Sequence, residues 1–311
     1  KLGTNDVSIT RSTPVTTFAG GNNWKQVSVG NNHTAAIKTD GTLWLWGRGN
    51  FAGMLGNNSA TNSYTPVTTF AGGTNWKQIS CGVYHTAAIK TDGTLWTWGY
   101  GNNGQLGNNS TTNVSTPVTT FAGGSNWKQV SAGLISYSST VAIKTDGTLW
   151  GWGNNGSGQM GTGDFTNRST PVTTFAGGTN WKQVSSGGYY TAAIKTDGTL
   201  WGWGSNGFGQ LGIASNFSTN PTPSTPVTTF AGGTNWKQVS AGFKYTAAIK
   251  SDGTLWTWGY NYRGNLGNAT ITPYPYTIST PVTTFAGGTN WKQASGAGAC
   301  AAALTYQDPG I

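Results

Sequence analysis

The sequence predicts an all-β fold assembled from repeated four-stranded sheets, and three observations carry that prediction. First, the phrase Thr-Pro-Val-Thr-Thr-Phe-Ala-Gly-Gly-x-Asn-Trp-Lys-Gln occurs six times, starting at Thr13, Thr65, Thr116, Thr170, Thr225 and Thr280, a period of 51 to 55 residues. A fixed period of that size marks one supersecondary unit repeated along the chain. Second, each unit holds short strand-like runs punctuated by Gly, Asn and Asp-Gly, with no capped helical periodicity. Third, the 16 Trp fall into only two settings, six in Asn-Trp-Lys-Gln and ten in five Trp-x-Trp-Gly motifs.

The second repeat shows the elements in order. Trp76-Lys77-Gln78-Ile79-Ser80 reads as a strand ending at Gly82. Thr86 to Thr91 reads as a second strand, and Asp92-Gly93 is a hairpin signal because both residues tolerate positive φ. Thr94 to Gly99 is the third strand, whose Trp96 and Trp98 are two apart and so share a face. A Gly/Asn-rich loop and Gln105-Leu106-Gly107 lead to a fourth strand, Pro117 to Phe121. Proline has no N–H for a sheet ladder, which places this strand at an edge.

Four short antiparallel strands per unit make a β-propeller blade, a sheet that buries its faces only against neighbouring blades. The Trp residues are the expected wedges. Each aromatic buries roughly 150–250 Å², so at ~25 cal/mol/Å² a buried Trp stabilises by about 4–6 kcal/mol as an upper bound. The reading is one β-propeller domain over residues 1–311, with six recognisable blades and room for a seventh upstream of Lys1.

The string Gly-x-x-His-Thr-Ala-Ala-Ile-Lys-Thr-Asp-Gly-Thr-Leu-Trp-x-Trp-Gly-x-x-x-x-Gly-Gln-Leu-Gly resembles the regulator of chromosome condensation (RCC1-like) repeat, most clearly from Gly82 to Gly107. Its Gly-Gln-Leu-Gly ending recurs at Gly209 to Gly212 and more loosely at Gly158 to Gly161 and Gly264 to Gly267. The wording is most similar to that of bacterial and marine-phage members. The resemblance implies a propeller, usually of seven blades, closed by pairing the chain ends in one blade. The ends suit this expectation. Lys1 to Asn5 matches the segment after Trp-x-Trp-Gly, and Cys300 to Thr305 matches Thr-Ala-Ala-Ile-Lys. The last blade would take its first two strands from the C-terminus and its fourth, Pro14 to Phe18, from the N-terminus, with its Trp-rich third strand lying in chain upstream of Lys1.

Functions within that family diverge into nucleotide exchange, ultraviolet-B sensing, β-lactamase inhibition and protein interaction. The light receptor places Trp before the His-Thr of each blade, where this chain has Asn32, Tyr84, Tyr189 and Lys244. The exchange factor depends on an acidic face, and this chain has eight acidic residues, all Asp, five of them in the hairpin turns. Neither activity carries over.

Charge is sparse, at 8% of residues, against ~25% in typical soluble domains. Solubility rests on Asn, Thr, Ser and Gly, a composition associated with virion proteins and extracellular adhesins, and the expected location is a virion or the cell exterior. The net charge is +9. The Lys and Asp of each hairpin cancel. Lys25, Lys77, Lys128, Lys182, Lys237 and Lys292 remain as a basic ring, read as a solvated rim, and nucleic acid is set aside as a partner. Cys81 and Cys300 occupy different blade positions and read as unpaired, buried residues. No spacing suggests a zinc or other metal site, no cofactor is implied, and no apolar run of ~20 residues spans a membrane.

Repetition also argues against an enzyme, since catalysis needs unlike groups converging on one place. His33 and His85 share one blade position, filled later by Tyr190, Tyr245 and Cys300, and read as packing groups. The strands repeat while the loops differ. The loops between first and second strands carry Tyr84, Tyr137, Tyr189, Tyr190, Phe243 and Tyr245. Aromatics set among Ser, Gly and Asn are the makings of a paratope. These six are the expected partner-binding residues, several of them solvent-exposed, on a non-enzymatic propeller that recognises a protein or surface glycan, other virion subunits included. A purely architectural subunit and a lectin with repeated sugar sites are the alternatives.

Overall fold

A computed structural model of the chain describes residues 2–4, 15–136, 138–214, 222–262, 264–268, 276–284, 286–297 and 300–305. Among these residues there are 22 strands and no helix, and so no helix long and apolar enough to cross a membrane. The first sheet holds β1 (Trp24–Val29), β2 (His33–Lys38), β3 (Leu43–Gly47) and β4 (Ser63–Thr68). The second holds β5 (Trp76–Cys81), β6 (His85–Lys90), β7 (Leu95–Gly99) and β8 (Val114–Thr119). The third holds β9 (Trp127–Ala132), β10 (Ser139–Lys144), β11 (Leu149–Gly153) and β12 (Arg168–Thr173). The fourth holds β13 (Trp181–Ser186), β14 (Tyr190–Lys195), β15 (Leu200–Gly204) and β16 (Val227–Thr228). The fifth holds β17 (Trp236–Ala241), β18 (Tyr245–Lys250), β19 (Leu255–Tyr260) and β20 (Thr277–Thr283), and β21 (Trp291–Ala297) pairs with β22 (Cys300–Thr305) in a two-stranded sheet.

Each four-stranded sheet is a meander in sequence order, the expected blade, and its fourth strand, carrying Pro66, Pro117, Pro171 and Pro281 in β4, β8, β12 and β20, is always at an edge. The closing arrangement expected for the chain ends falls partly on Pro14, outside the described residues. Val15 to Thr17 are not in a strand.

The chain forms two compact units, residues 1–145 with 152–154 and 167–172, and residues 146–151, 155–166 and 173–311. Each has a core of the same design. In the first, Ala35, Ile37, Leu43 and Leu45 of one sheet pack on Trp76, Ile79, Ala88 and Trp98 of the next. In the second, Ala192, Ile194 and Leu200 pack on Trp236, Val239, Ala248 and Trp258. The second strand of a blade is buried along its length, as in His85–Ile89. Its Ala residues are small enough for both faces to be covered.

The hairpin Asp and Gly have separate duties. Asp92 Oδ1 accepts from the Thr94 N–H at 2.9 Å and its hydroxyl at 2.7 Å. Thr94 Oγ1 in turn accepts from Trp96 Nε1 at 2.9 Å. These donors hold the Asp92 carboxyl below its usual pKa, the Thr94 backbone bond contributing most. Gly93 has φ +80°, and a Cβ there would lie 2.1 Å from the Ser125 carbonyl oxygen of the segment entering β9. Any other residue meets both a backbone penalty and a clash.

Adjacent sheets are joined by side chains acting as strand backbone. The Gln78 amide donates to Val130 O and accepts from Val130 N–H, both at 3.0 Å. Ser80 Oγ accepts from Ala132 N–H at 2.9 Å. Gln26 does the same with Ile79, Gln183 with Val239 and Gln238 with Ala294. The repeated Gln and Ser of the first strand are thus explained by packing. So is the second Trp of Trp-x-Trp, whose Nε1 donates to a carbonyl of the preceding repeat. Trp98 reaches Met54 O, Trp152 and Trp203 reach Gln105 O and Gln159 O, and Trp258 reaches Gln210 O, at 2.9 to 3.0 Å.

Candidate recognition surface

Strand direction gives every sheet two unlike ends. The Asp-Gly hairpin and the Phe-Ala-Gly-Gly turn lie at one end, and both repeat almost unchanged. The loop between first and second strands lies at the other, with the residues that leave the third strand, and these vary. In the second sheet Tyr100 N–H bonds Tyr84 O at 2.8 Å, which ties two variable segments together.

The variable end of the first unit carries an aromatic cluster. The Phe51 ring centroid is 4.7 Å from Tyr84 and 5.6 Å from Tyr100, with the Arg48 guanidinium 5.4 Å above Phe51. All three rings are half-buried. The second unit carries another, centred on a cation. Lys244 Nζ lies 4.0 Å from the Phe208 ring, 5.3 Å from Phe243 and 5.5 Å from Tyr260. Tyr262 extends it, 6.1 Å from Tyr260 and 5.0 Å from Tyr276, and is 56% exposed. Aromatic faces hold a cation through their quadrupole, by about 0.5–2 kcal/mol.

Of the six aromatics expected at a partner surface, Tyr84 and Phe243 join these clusters and Tyr189 is 38% exposed. Tyr137 lies outside the described residues. Tyr190 and Tyr245 are not among the exposed ones, being 0% and 1% exposed. They open β14 and β18, where His33 and His85 open β2 and β6. Tyr190 OH bonds Thr246 Oγ1 at 2.9 Å, as His33 Nε2 bonds Thr86 Oγ1 at 2.8 Å and His85 Nε2 bonds Thr140 Oγ1 at 2.9 Å. All are links between successive sheets. Burial lowers the His33 pKa to about 4. Burial, with the neighbouring His33 adding to it, lowers that of His85 to about 3, so both imidazoles are neutral near pH 7.

Phe51, Tyr100, Phe208, Tyr260, Tyr262 and Tyr276 were not singled out from sequence. For Tyr100 and Tyr260 the signal was the variable position just after Trp-x-Trp-Gly, held by Arg48, Tyr100, Asn154, Ser205 and Tyr260 in turn.

The invariant end differs. Lys25, Lys77, Lys128, Lys182, Lys237 and Lys292 of the first strands are exposed. The hairpin Lys are held over Trp faces, Lys90 Nζ lying 4.8 Å from Trp76 and 4.6 Å from Trp96. Lys38, Lys195 and Lys250 lie likewise over two Trp each. Phe18, Phe70, Phe121, Phe175 and Phe230 of the repeated turn are 66–72% exposed. Among the described residues no group of three or more His, Cys, Asp or Glu is placed to hold a metal. Cys81 is buried, and desolvation pushes its thiol up to about 12.

Comparison with known proteins agrees with this architecture. The RCC1-like domain family matches residues 1–303. The ultraviolet-B receptor UVR8 of Arabidopsis thaliana is 32% identical over 79% of this chain and 55% of its own length. The mitochondrial RCC1 domain-containing protein RUG3 of the same plant is 30% identical over 82% of this chain and 57% of its own. The chain thus spans little more than half of either relative. Among solved structures, yeast RCC1 (Prp20) bound by Kap60 superimposes with a TM-score of 0.76 at 18% identity, over 91% of this chain and 68% of that one. Human WBSCR16 gives 0.76 at 23% identity, over 91% and 72%. A further Prp20p structure, with a TM-score of 0.74 at 18% identity over 88% of this chain and 67% of that one, is described with its binding to Gsp1p and histones.

Proposed function

From the premise that this chain belongs to the RCC1-like domain family, we propose that it is a non-catalytic recognition module whose partner, a protein, docks on the variable end of the sheets. The observation that carries this is the Phe51–Tyr84–Tyr100 cluster. Segments that differ from repeat to repeat meet there as half-buried aromatics beside a cation. Aromatic and Arg side chains in such settings are the usual hot spots of protein interfaces. Related propellers offer precedents in Kap60, Gsp1p and histones bound by the yeast protein. The charge-poor, Asn- and Thr-rich composition supports a place of action on a virion or at the cell exterior. A lectin with one sugar site per blade draws less support, because the invariant part-exposed Trp already face a Lys ammonium.

Site-specific photocrosslinking tests the reading within one sheet. A benzophenone side chain replaces Tyr84 or Tyr100 at the variable end, or Phe121 at the invariant end, and adducts are collected from the source organism's proteins. One discrete adduct from positions 84 and 100, lost on Arg48→Ala or Phe51→Ala with thermal stability kept, is expected. Adducts from position 121 alone would overturn the assignment.

A further inference from the structure

The invariant end presents the same apolar side chain to solvent in repeat after repeat. Phe18, Phe70, Phe121, Phe175 and Phe230 are each 66–72% exposed. The turn that carries each ring is held by other groups. Phe121 N–H donates to Gly107 O at 2.7 Å, Gly123 N–H to Thr120 O at 3.0 Å, and Trp127 Nε1 to Gly123 O at 2.9 Å. Phe70 N–H, Gly72 N–H and Trp76 Nε1 make the same bonds one repeat earlier. All six copies of the phrase nevertheless keep Phe, while the position four residues on changes among Asn, Thr and Ser.

A second device presents a cation beside each ring. Trp76 pairs with Lys90 and Gln78 with Ile89, so Lys77 is the extra residue of a β-bulge. Lys128 stands in the same bulge between Trp127 and Gln129, and Lys25 between Trp24 and Gln26. A bulge re-aims its side chain out of the ladder, and all three Lys are exposed. The indole that pins the turn immediately precedes the bulged Lys, so ring and ammonium are anchored to one residue. The Lys and Asp of each hairpin offset one another, which leaves the bulged Lys as the surplus charge of this end in each repeat.

We propose that this end of the first unit, through Phe18, Phe70 and Phe121 with Lys25, Lys77 and Lys128, docks on the surface of an anionic lipid bilayer. Phe and the Ala-Gly-Gly after it have no side-chain hydrogen-bonding group, so they suit the boundary between headgroups and acyl chains. Lys beside such rings meets the anionic headgroups. A bilayer is uniform in its plane and demands no register, so identical contacts repeated from sheet to sheet serve it. The second unit carries the same elements in Phe175, Phe230, Lys182 and Lys237. This face lies at the opposite end of the sheets from the Phe51–Tyr84–Tyr100 cluster and does not rest on the protein-docking reading.

The probes are vesicles of phosphatidylcholine with about one-third phosphatidylglycerol and vesicles of phosphatidylcholine alone, with binding of the 1–311 chain read by flotation. Binding to the anionic vesicles is expected, about tenfold or more above the neutral ones and weakened by salt. Phe70→Ser with Phe121→Ser should weaken it about tenfold at an unchanged melting temperature, and Lys77→Gln with Lys128→Gln should do the same. An environment-sensitive fluorescent amino acid at position 121 should shift to the blue on vesicles, while the same residue at position 100 should not. No flotation with anionic vesicles, equal flotation of the Phe double variant, or a blue shift at position 100 instead would each overturn the proposal. So would binding to soluble heparin that depends on the same Phe residues, without binding to vesicles, since the partner would then be a polyanion.

Discussion

Acid should unfold this protein through its two histidines before its aspartates matter. His33 and His85 are fully buried and neutral, each tied through Nε2 to a Thr hydroxyl of the next sheet. Desolvation lowers their pKa values from 6.5 to about 4 and about 3. An unfolded chain therefore takes up two protons below pH 6.5 that the folded chain refuses. The stability linked to these groups is complete above pH 6.5 and is lost as pH falls toward the folded values. At about 1.4 kcal/mol per pH unit per group, lowering pH from 7.5 to 4.5 removes about 2.5 kcal/mol for each, or about 5 kcal/mol together. The hairpin Asp carboxyls, also held below their usual range, lose their contribution only below that window. The perturbation is His33→Tyr with His85→Tyr, the residue that later repeats use at the same position and with the same Thr partner. Urea midpoints measured from pH 7.5 to 4.5 should fall steeply for the natural protein and stay nearly level for the double variant, with single variants halfway. An unchanged slope in the double variant, or a level profile in the natural protein, would refute the reasoning.

Other expectations follow from single contacts. Gln78→Ala strands the Val130 N–H and carbonyl that it bonds and should cost about 1–3 kcal/mol in chemical denaturation. Gly93→Ala should destabilise by more than about 2 kcal/mol, because the Cβ meets Ser125 O at 2.1 Å, whereas Gly123→Ala, with nothing within 4 Å, should cost only about 1 kcal/mol for its positive φ. Their difference in melting temperature checks the close-approach argument. Cys81, buried and with its thiol pushed up to about 12, should resist a disulfide-exchange reagent in the native protein and react at once in denaturant. Phe121→Ser, at a side chain 66% exposed, should change stability by no more than about 0.5 kcal/mol, which thermal melts of the variant will show.

The blade was legible because its signals are local. Asp-Gly sets a hairpin, Pro marks an edge, and the period of the repeated phrase gives the unit. The Gln and Ser links were hidden because their partners lie 52 to 56 residues away in sequence. The paired Trp could be assigned to one face, but not divided into a buried wedge such as Trp98 and a half-exposed partner such as Trp96, since that division depends on the next sheet. Which of the loop aromatics are exposed could not be told from the loops, because a Gly-flanked segment looks exposed even where, as at Tyr190 and Tyr245, the ring is buried. Their alignment with His33 and His85 was the better guide, as Tyr190, like both histidines, bonds a Thr of a neighbouring sheet. Phe51 and Tyr100 escaped notice because their meeting with Tyr84 requires strand direction and sheet order together.

The links between sheets have a consequence for how such a chain changes length. The described Gln, Ser and Trp links use the same atoms each time, a Gln amide to a first strand, a Ser hydroxyl two residues on, and an indole N–H to a carbonyl of the repeat before. None of these three encodes its own address. A DNA copying error that deletes or duplicates one whole period leaves each surviving junction chemically whole and creates no unfamiliar one. Copy number can therefore drift faster than sequence, while the divergent loops travel with their repeats as exchangeable cassettes.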